Sequence, residues 1–220
     1  LNKENEICIT SANIQEQRRI TDHKHLYWHQ TKITREQRSS LNGHKSFVIW
    51  FSGLSGSGKS SLANEVERML YDKGFKTYIL DGDNVRHGLN RDLGFGISER
   101  RENLRRIGET AKLFIDAGVI VLAAFISPYH EDRQMVYSLF DKQEVIEVYV
   151  KCSLEECERR DVKGLYTKAR KGEIRDFTGI SSPYEEPVNP DCVVETEVLS
   201  KEESAKQIID FLIESGKIEK

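Results

Sequence analysis

Gly53-Leu54-Ser55-Gly56-Ser57-Gly58-Lys59-Ser60 is the segment whose residue types and spacing point most directly to chemistry. Glycines in such a run let a backbone bend tightly and turn successive N–H groups inward, as a cradle for phosphate oxygens requires. The spacing GxxxxGK[ST] then places a lysine to reach the terminal phosphates and a hydroxyl, here Ser60, to ligate Mg²⁺. A helix opening near Lys59 adds the positive end of its dipole. The expected ATP contacts are therefore Gly53, Leu54, Ser55, Gly56, Ser57, Gly58, Lys59, Ser60 and Ser61, with ATP and Mg²⁺ as the cofactors.

The loop alone does not define the reaction, because switches, motors and small-molecule kinases all use it. No NKxD-type guanine-reading tetrapeptide occurs, and Phe125-Ile126-Ser127-Pro128 lacks the carboxylate of a motor-type strand. The acids stand in Asp81-Gly82-Asp83, followed by Asn84, Val85 and Arg86. Two carboxylates beside a phosphate site repel it unless they face Mg²⁺, a hydroxyl or an arginine, so Asp81 and Asp83 are expected where an acceptor hydroxyl meets the γ-phosphate. Among the arginines downstream, Arg86 and Arg100 are the better candidates to grip an anion, while Arg101 and Arg105 read as solvated helix charges. Phe95 either stacks on a base or fills core; spacing leaves both open.

These residues need a scaffold, and the hydrophobic pattern supplies one. Phe47 to Phe51 is a continuous apolar run, as in a strand buried on both faces, and Leu62, Val66, Met69 and Leu70 follow at helical spacing. Strands are expected at 76–80, 119–126, 145–150 and 192–194. Helices are expected from about Glu99 to Gly118, over 129–141, after the capping Ser153, and over 200–215. Such alternation predicts an α/β three-layer sandwich, a parallel sheet with helices on both faces, whose ligands lie at the carboxyl edge. Residues 162–191 hold three of the four prolines and many charges, which reads as a lid or binding loop. Residues 1 to about 44 read as a polar stretch ending in a turn at Leu41-Asn42-Gly43-His44.

The 220 residues are 38% apolar and carry a formal net charge of -3, enough for one core and unsuited to bulk nucleic acid or an anionic membrane. Cys8, Cys152, Cys157 and Cys192 form no CxxC pair and read as isolated thiols. His23, His25 and His29 read as a solvated segment, not a metal site. The longest apolar run is too short to span a bilayer and no signal-peptide layout is present, so a cytoplasmic protein is expected.

Beyond these generic signals, Asp81-Gly-Asp-Asn-Val-Arg-His-Gly-Leu-Asn90, Leu93-Gly-Phe95, Arg100 with Glu102-Asn103, and Phe125-Ile-Ser-Pro128 resemble the adenylyl-sulfate kinase (APS kinase) family. So do Arg160-Asp-Val-Lys-Gly-Leu-Tyr166, Lys168-Ala-Arg170 and Phe177-Thr-Gly-Ile180, and the blocks follow the family's order from about Trp28 onward. The resemblance implies a kinase domain over 28–220 with a lid at about 160–180, leaving 1–27 as an extension of unknown role. It implies transfer of the ATP γ-phosphoryl group to the 3′-hydroxyl of adenosine 5′-phosphosulfate in sulfate activation. Asp83, Asn84, Arg86, Phe95, Arg100, Asn103, Ile126, Ser127, Lys163 and Phe177 match the family's sulfonucleotide contacts. Lys59, Asp81, Asp83 and Ser127 are the catalytic candidates, Ser60 and Asp81 the metal ligands, and Lys163 and Arg170 the lid cations expected to close over the phosphates. Bacterial members are described with a phosphoserine at the position of Ser127. In-line transfer needs only positioning and charge stabilisation, so direct transfer is expected. A homodimer and functional coupling to ATP sulfurylase are further implications. Two departures stand out: Lys-Ser-Ser where Lys-Ser-Thr is frequent, and Ser181 where an acid is usual. The alternatives are a kinase of this fold for gluconate, shikimate or a nucleoside monophosphate, and a non-catalytic nucleotide-binding regulator.

Overall fold

A computed structural model describes residues 27, 29 and 31–219. The calls on Cys8, His23, His25 and Trp28 lie outside them. From Ile33 onward the described chain forms one unit built on five parallel strands: β1 (Val48–Ser52), β2 (Thr77–Asp81), β3 (Ile120–Ala124), β4 (Val145–Lys151) and β5 (Cys192–Glu195). Their order across the sheet is β2-β3-β1-β4-β5. With β1 in the centre, Val48 pairs with Val121 on one side and Val145 on the other, which explains why its five residues are apolar almost throughout and fully buried.

The alternation of side chains along β1 divides the core. Ile49 and Phe51 pack with Leu62, Val66 and Leu70 of α2 (Lys59–Asp72) and with Ile208 and Leu212 of α8 (Lys201–Glu214). Val48 and Trp50 face the other layer, against Leu104, Ile107 and Ala111 of α4 (Ile97–Asp116) and Val136 of α5 (His130–Tyr137). This is the three-layer α/β arrangement expected from sequence. A third, smaller cluster of Cys152, Cys157, Tyr166, Ala169 and Phe177 joins α6 (Leu154–Arg160) and α7 (Leu165–Arg170) to the loop that follows them. Cys152, Cys157 and Cys192 are free thiols buried in these clusters.

Several expectations are corrected. The stretch up to residue 44 contains a helix, α1 (Arg35–Asn42), started by a reciprocal Thr34–Gln37 capping box and ended by Gly43 in the left-handed region. It buries no residue, so it lacks the apolar stripe by which helices are read, and instead it is pinned by polar bonds. Arg35 donates to Ser46 Oγ at 3.0 Å and Asn42 to the Gly118 carbonyl at 2.9 Å, at the amino edge of the sheet. The segment 162–191 is not structureless, since α7 lies within it. The turn after β2 coils into α3 (Gly82–Arg86), whose cap is Asp81. The apolar run 119–126 stops as a strand at Ala124, because Ser127 turns to a φ of 46° and leaves the ladder. The helix expected over 129–141 ends at Tyr137.

Candidate active site

The carboxyl ends of β1, β2 and β3 deliver the loop, the acids and Ser127 to one edge. The loop's path depends on glycine. Gly53 has a φ of 149°, and a Cβ there would stand 2.5 Å from the Val150 carbonyl oxygen and 2.8 Å from Ser57 Oγ. Gly58, at a φ of 97°, caps α2, so the helix dipole opens directly behind Lys59 and Ser60. The Lys59 ammonium folds inward, donating to the carbonyls of Gly53 at 2.9 Å and Leu54 at 2.6 Å. Burial pulls its pKa down to about 8, against the opposing pull of Asp81 and Asp83. Ser61, the last predicted contact, is exposed on the first turn of α2.

Contacts from outside hold the loop. Thr196, just past β5, donates to the Ser57 carbonyl at 2.8 Å, and Arg160 of α6 donates to the Thr196 carbonyl at 2.7 Å. Tyr166 of α7 donates its hydroxyl to the Ser55 carbonyl at 2.7 Å, while Cys157 backs Gly56. The Gly53 N–H reaches the Ile126 carbonyl at 3.4 Å, tying the loop to the segment after β3.

One of the two acids, Asp81, meets the loop directly. Ser60 Oγ donates to Asp81 Oδ2 at 2.6 Å, and Asp81 Oδ1 accepts the N–H groups of Asp83 and Asn84 at 3.0 and 3.3 Å. Asp81 thus binds the loop with one oxygen and shapes α3 with the other. Ser60, Asp81, Asp83, Asn84 and Lys163 line one open cleft of ≈ 520 Å³, and Lys163 pairs with Asp83 across it. Ser60 and Asp81 offer only hard oxygen donors, which suits Mg²⁺. Among the described residues no three His, Cys, Asp or Glu side chains gather into a cage.

The other predicted contacts divide in two. Arg86 and Arg100 give their donors to neutral groups and keep their charge available: Arg86 to the carbonyls of Leu93 and Gly94, Arg100 to the Phe95 and Asp176 carbonyls and to Thr178 Oγ1. Burial, and then its repulsion by Arg100, lowers the pKa of Arg86, as expected where an anion would be welcome. Its guanidinium lies 4.4 Å from the ring centroid of the exposed Phe95. Arg101 pairs with Glu131, and Arg105 and Arg106 with Glu102, as helix charges do.

Asn103, Ser127 and Phe177 are buried, with Ile126 half-buried beside them. Asn103 accepts from Asn90 at 3.0 Å, Ser127 Oγ accepts from the Trp50 indole at 3.0 Å, and Phe177 meets Tyr166 edge to face. Arg170 of α7 pairs with Glu158 of α6. The supports at Trp50, Arg133 and Thr196 escaped the sequence reading: Trp50 sits in an apolar strand, Arg133 in a charged run, and Thr196 outside any motif. Tyr166 lay within a block already singled out.

Residues 45–195 match the family described as adenylylsulphate kinase. A probable adenylyl-sulfate kinase of Bacillus subtilis is 57% identical over 197 residues, 90% of this chain and 99% of that protein. The adenylyl-sulfate kinase of Staphylococcus epidermidis is 56% identical over 89% of this chain and 98% of its own length. Among solved structures, the Mycobacterium tuberculosis APS kinase in complex with AMPPNP and APS aligns with a TM-score of 0.74 at 50% identity, covering 77% of this chain and 98% of that one. A Sinorhizobium meliloti gluconokinase, at 15% identity and a TM-score of 0.50, shares the fold alone. Because the matched span takes in the loop, the acidic turn and the segment 160–180, the chain belongs to the adenylyl-sulfate kinase family.

Proposed function

We propose that the protein transfers the γ-phosphoryl group of ATP to the 3′-hydroxyl of adenosine 5′-phosphosulfate, releasing ADP and 3′-phosphoadenosine 5′-phosphosulfate. The observation that carries the mechanism is the single cleft in which the phosphate loop's Ser60 faces Asp81, Asp83, Asn84 and Lys163. The new O–P bond forms at the 3′-oxygen as the bond to the leaving ADP oxygen breaks, so the enzyme's work is alignment and charge stabilisation.

Each residue then has a task. The backbone of Gly53 to Gly58 wraps the phosphates, and Lys59 turns its ammonium from its own carbonyls to the phosphate oxygens. Ser60 and Asp81 hold Mg²⁺, which when bound offsets the charge gathering on the phosphates. Asp83 releases Lys163, orients the 3′-hydroxyl and takes up its proton. Lys163 is then free to meet the phosphates. Arg86, Arg100 and Asn84 grip the anionic acceptor, Phe95 and Phe177 flank its base, and Asn103, Ile126 and Ser127 close the wall behind it. A directly transferred phosphoryl group leaves Ser127 a binding residue.

On the family resemblance alone, the proposal extends to a homodimer functionally coupled to ATP sulfurylase. Among the described residues no helix is long and apolar enough to cross a membrane. ADP release with MgATP should appear with adenosine 5′-phosphosulfate and stay at background with AMP, gluconate or no acceptor. Turnover with another acceptor instead would keep the loop chemistry and reject the substrate. Tight ATP binding without any turnover would leave a regulator.

A further inference from the structure

The fold holds a buried ion that the transfer chemistry does not use. Arg133, on α5, is 2% exposed. Its Nη1 donates to the Ser127 carbonyl at 2.6 Å, Nη2 lies 2.8 Å from His130 Nδ1, and Nε stands 3.3 Å from Glu147 Oε1 on β4. A guanidinium removed from water is costly to keep, and apolar residues of similar volume generally stabilise a core at least as well. Its placement calls for a role that apolar packing could not fill.

That role lies at its first contact. Ser127, with Asp176, is a described non-glycine residue well inside the positive-φ range, a region L-residues enter only when their surroundings hold them there. Here the surroundings are the Trp50 indole on the hydroxyl and Arg133 on the carbonyl. The peptide before Ser127 carries the Ile126 carbonyl that receives the Gly53 N–H. After it, the Pro128 carbonyl accepts from Glu185, and Tyr129 Oη shares a 2.8 Å hydrogen bond with Ser182 Oγ. This one turn therefore touches the phosphate loop and the segment that follows Phe177.

Resting on the functional reading above, we infer that Arg133 is a positioning residue: it fixes the Ser127 carbonyl and thereby holds the left-handed turn that aligns the acceptor wall with the phosphate loop. Arg133 meets neither nucleotide itself. Lysine cannot replace it, because an ammonium on a flexible stem cannot serve three partners in the plane of a guanidinium.

Arg133→Ala would leave Glu147 unpaired in the core and risks unfolding, so the test uses Arg133→Lys, and beside it the paired variant Arg133→Gln with Glu147→Gln, which removes both charges together. Each should raise the KM for adenosine 5′-phosphosulfate about tenfold, as for a lost charged hydrogen bond, with the KM for ATP within about twofold. Amide exchange across residues 125–129 should speed up in both. The decisive readout is a cycle with Ser127. Glycine takes a positive φ unaided, so in a Ser127→Gly background the effect of Arg133→Lys should shrink to within about twofold. In a Ser127→Ala background, which keeps the Cβ and loses only the hydroxyl, it should persist. An equal effect in both backgrounds, or unchanged exchange at 125–129, would overturn the inference. Inactivity of the wild-type protein toward the sulfonucleotide would instead overturn the functional reading, and exchange would still decide whether Arg133 holds the turn.

Discussion

Lys59 is held by its own loop, and the cost of that burial sets a pH dependence. Its pKa is lowered from the ordinary 10.5 to about 8, chiefly by loss of water. A bound triphosphate favours the ammonium, so binding above pH 8 must take up a proton and weaken as pH rises. The unfolded chain keeps its proton up to about 10.5. Burial of the charge therefore destabilises the ligand-free fold fully below pH 8, and that loss is relieved as pH climbs between the two values. Calorimetry of AMPPNP binding in two buffers of different ionisation enthalpy should show proton uptake at pH 8.5 and little at pH 7; equal uptake at both would count against it. Lys59→Ala should lower transfer by about 10³-fold. Asp83→Asn should lower kcat by about a hundredfold with ATP affinity within twofold, because the role proposed for Asp83 is to the acceptor hydroxyl and not to ATP. Its pair with Lys163 is mostly exposed and contributes under about 1 kcal/mol, so stability should barely move. A wild-type rate in either variant contradicts these roles. The residues proposed to meet substrate could be singled out in the sequence because their types are scarce and the spacing of a phosphate loop is fixed by phosphate geometry. Arg133 and Thr196 could not be, since an arginine in Glu131-Asp132-Arg133 looks solvated until the fold encloses it.

Elements were legible wherever an apolar stripe or run met a stop signal. That describes β1, α2, α4 and α8, the last with a Ser200–Glu203 capping box. It fails for α1, which buries no residue, for the five-residue α3, and for α7, whose two buried residues, Tyr166 and Ala169, make no readable period. Yet α7 reaches the phosphate loop through the Tyr166 hydroxyl on the Ser55 carbonyl. Tyr166→Phe keeps the ring against Phe177 and removes that bond, a loss of about 1 kcal/mol. If opening of α7 is limited by this contact, trypsin should cut within 168–175 about fivefold faster, and the KM for ATP should rise by a similar factor. The acceptor KM should stay put. Unchanged cleavage would show that the apolar cluster of Cys152, Cys157 and Phe177 holds α7 without help from the hydroxyl.

At the scale of the molecule, the phosphate loop is where otherwise separate parts meet. Thr196 reaches it from the end of β5, Tyr166 from α7, and Ile126 from the turn after β3, while Ser60 ties it to Asp81 on the edge strand β2. A nucleotide in the loop should brace all four at once, so its binding should appear as stability of the whole domain. At a hundred times Kd, a ligand specific for the folded state adds about 2.7 kcal/mol. For a chain of this size each kcal/mol moves Tm by about 2–4 °C, so ADP with Mg²⁺ should raise Tm by roughly 5–10 °C. Chelating the Mg²⁺ should remove part of that gain, because the Asp81 carboxylate would then repel the phosphates with no cation to offset it. Adding adenosine 5′-phosphosulfate to the ADP complex should raise Tm further, since Lys163 and Asp83 would exchange their mutual pair for ligand contacts. An acceptor that stabilises the free protein and the ADP complex equally would show that the two sites fill independently, and that the turn around Ser127 does not couple them.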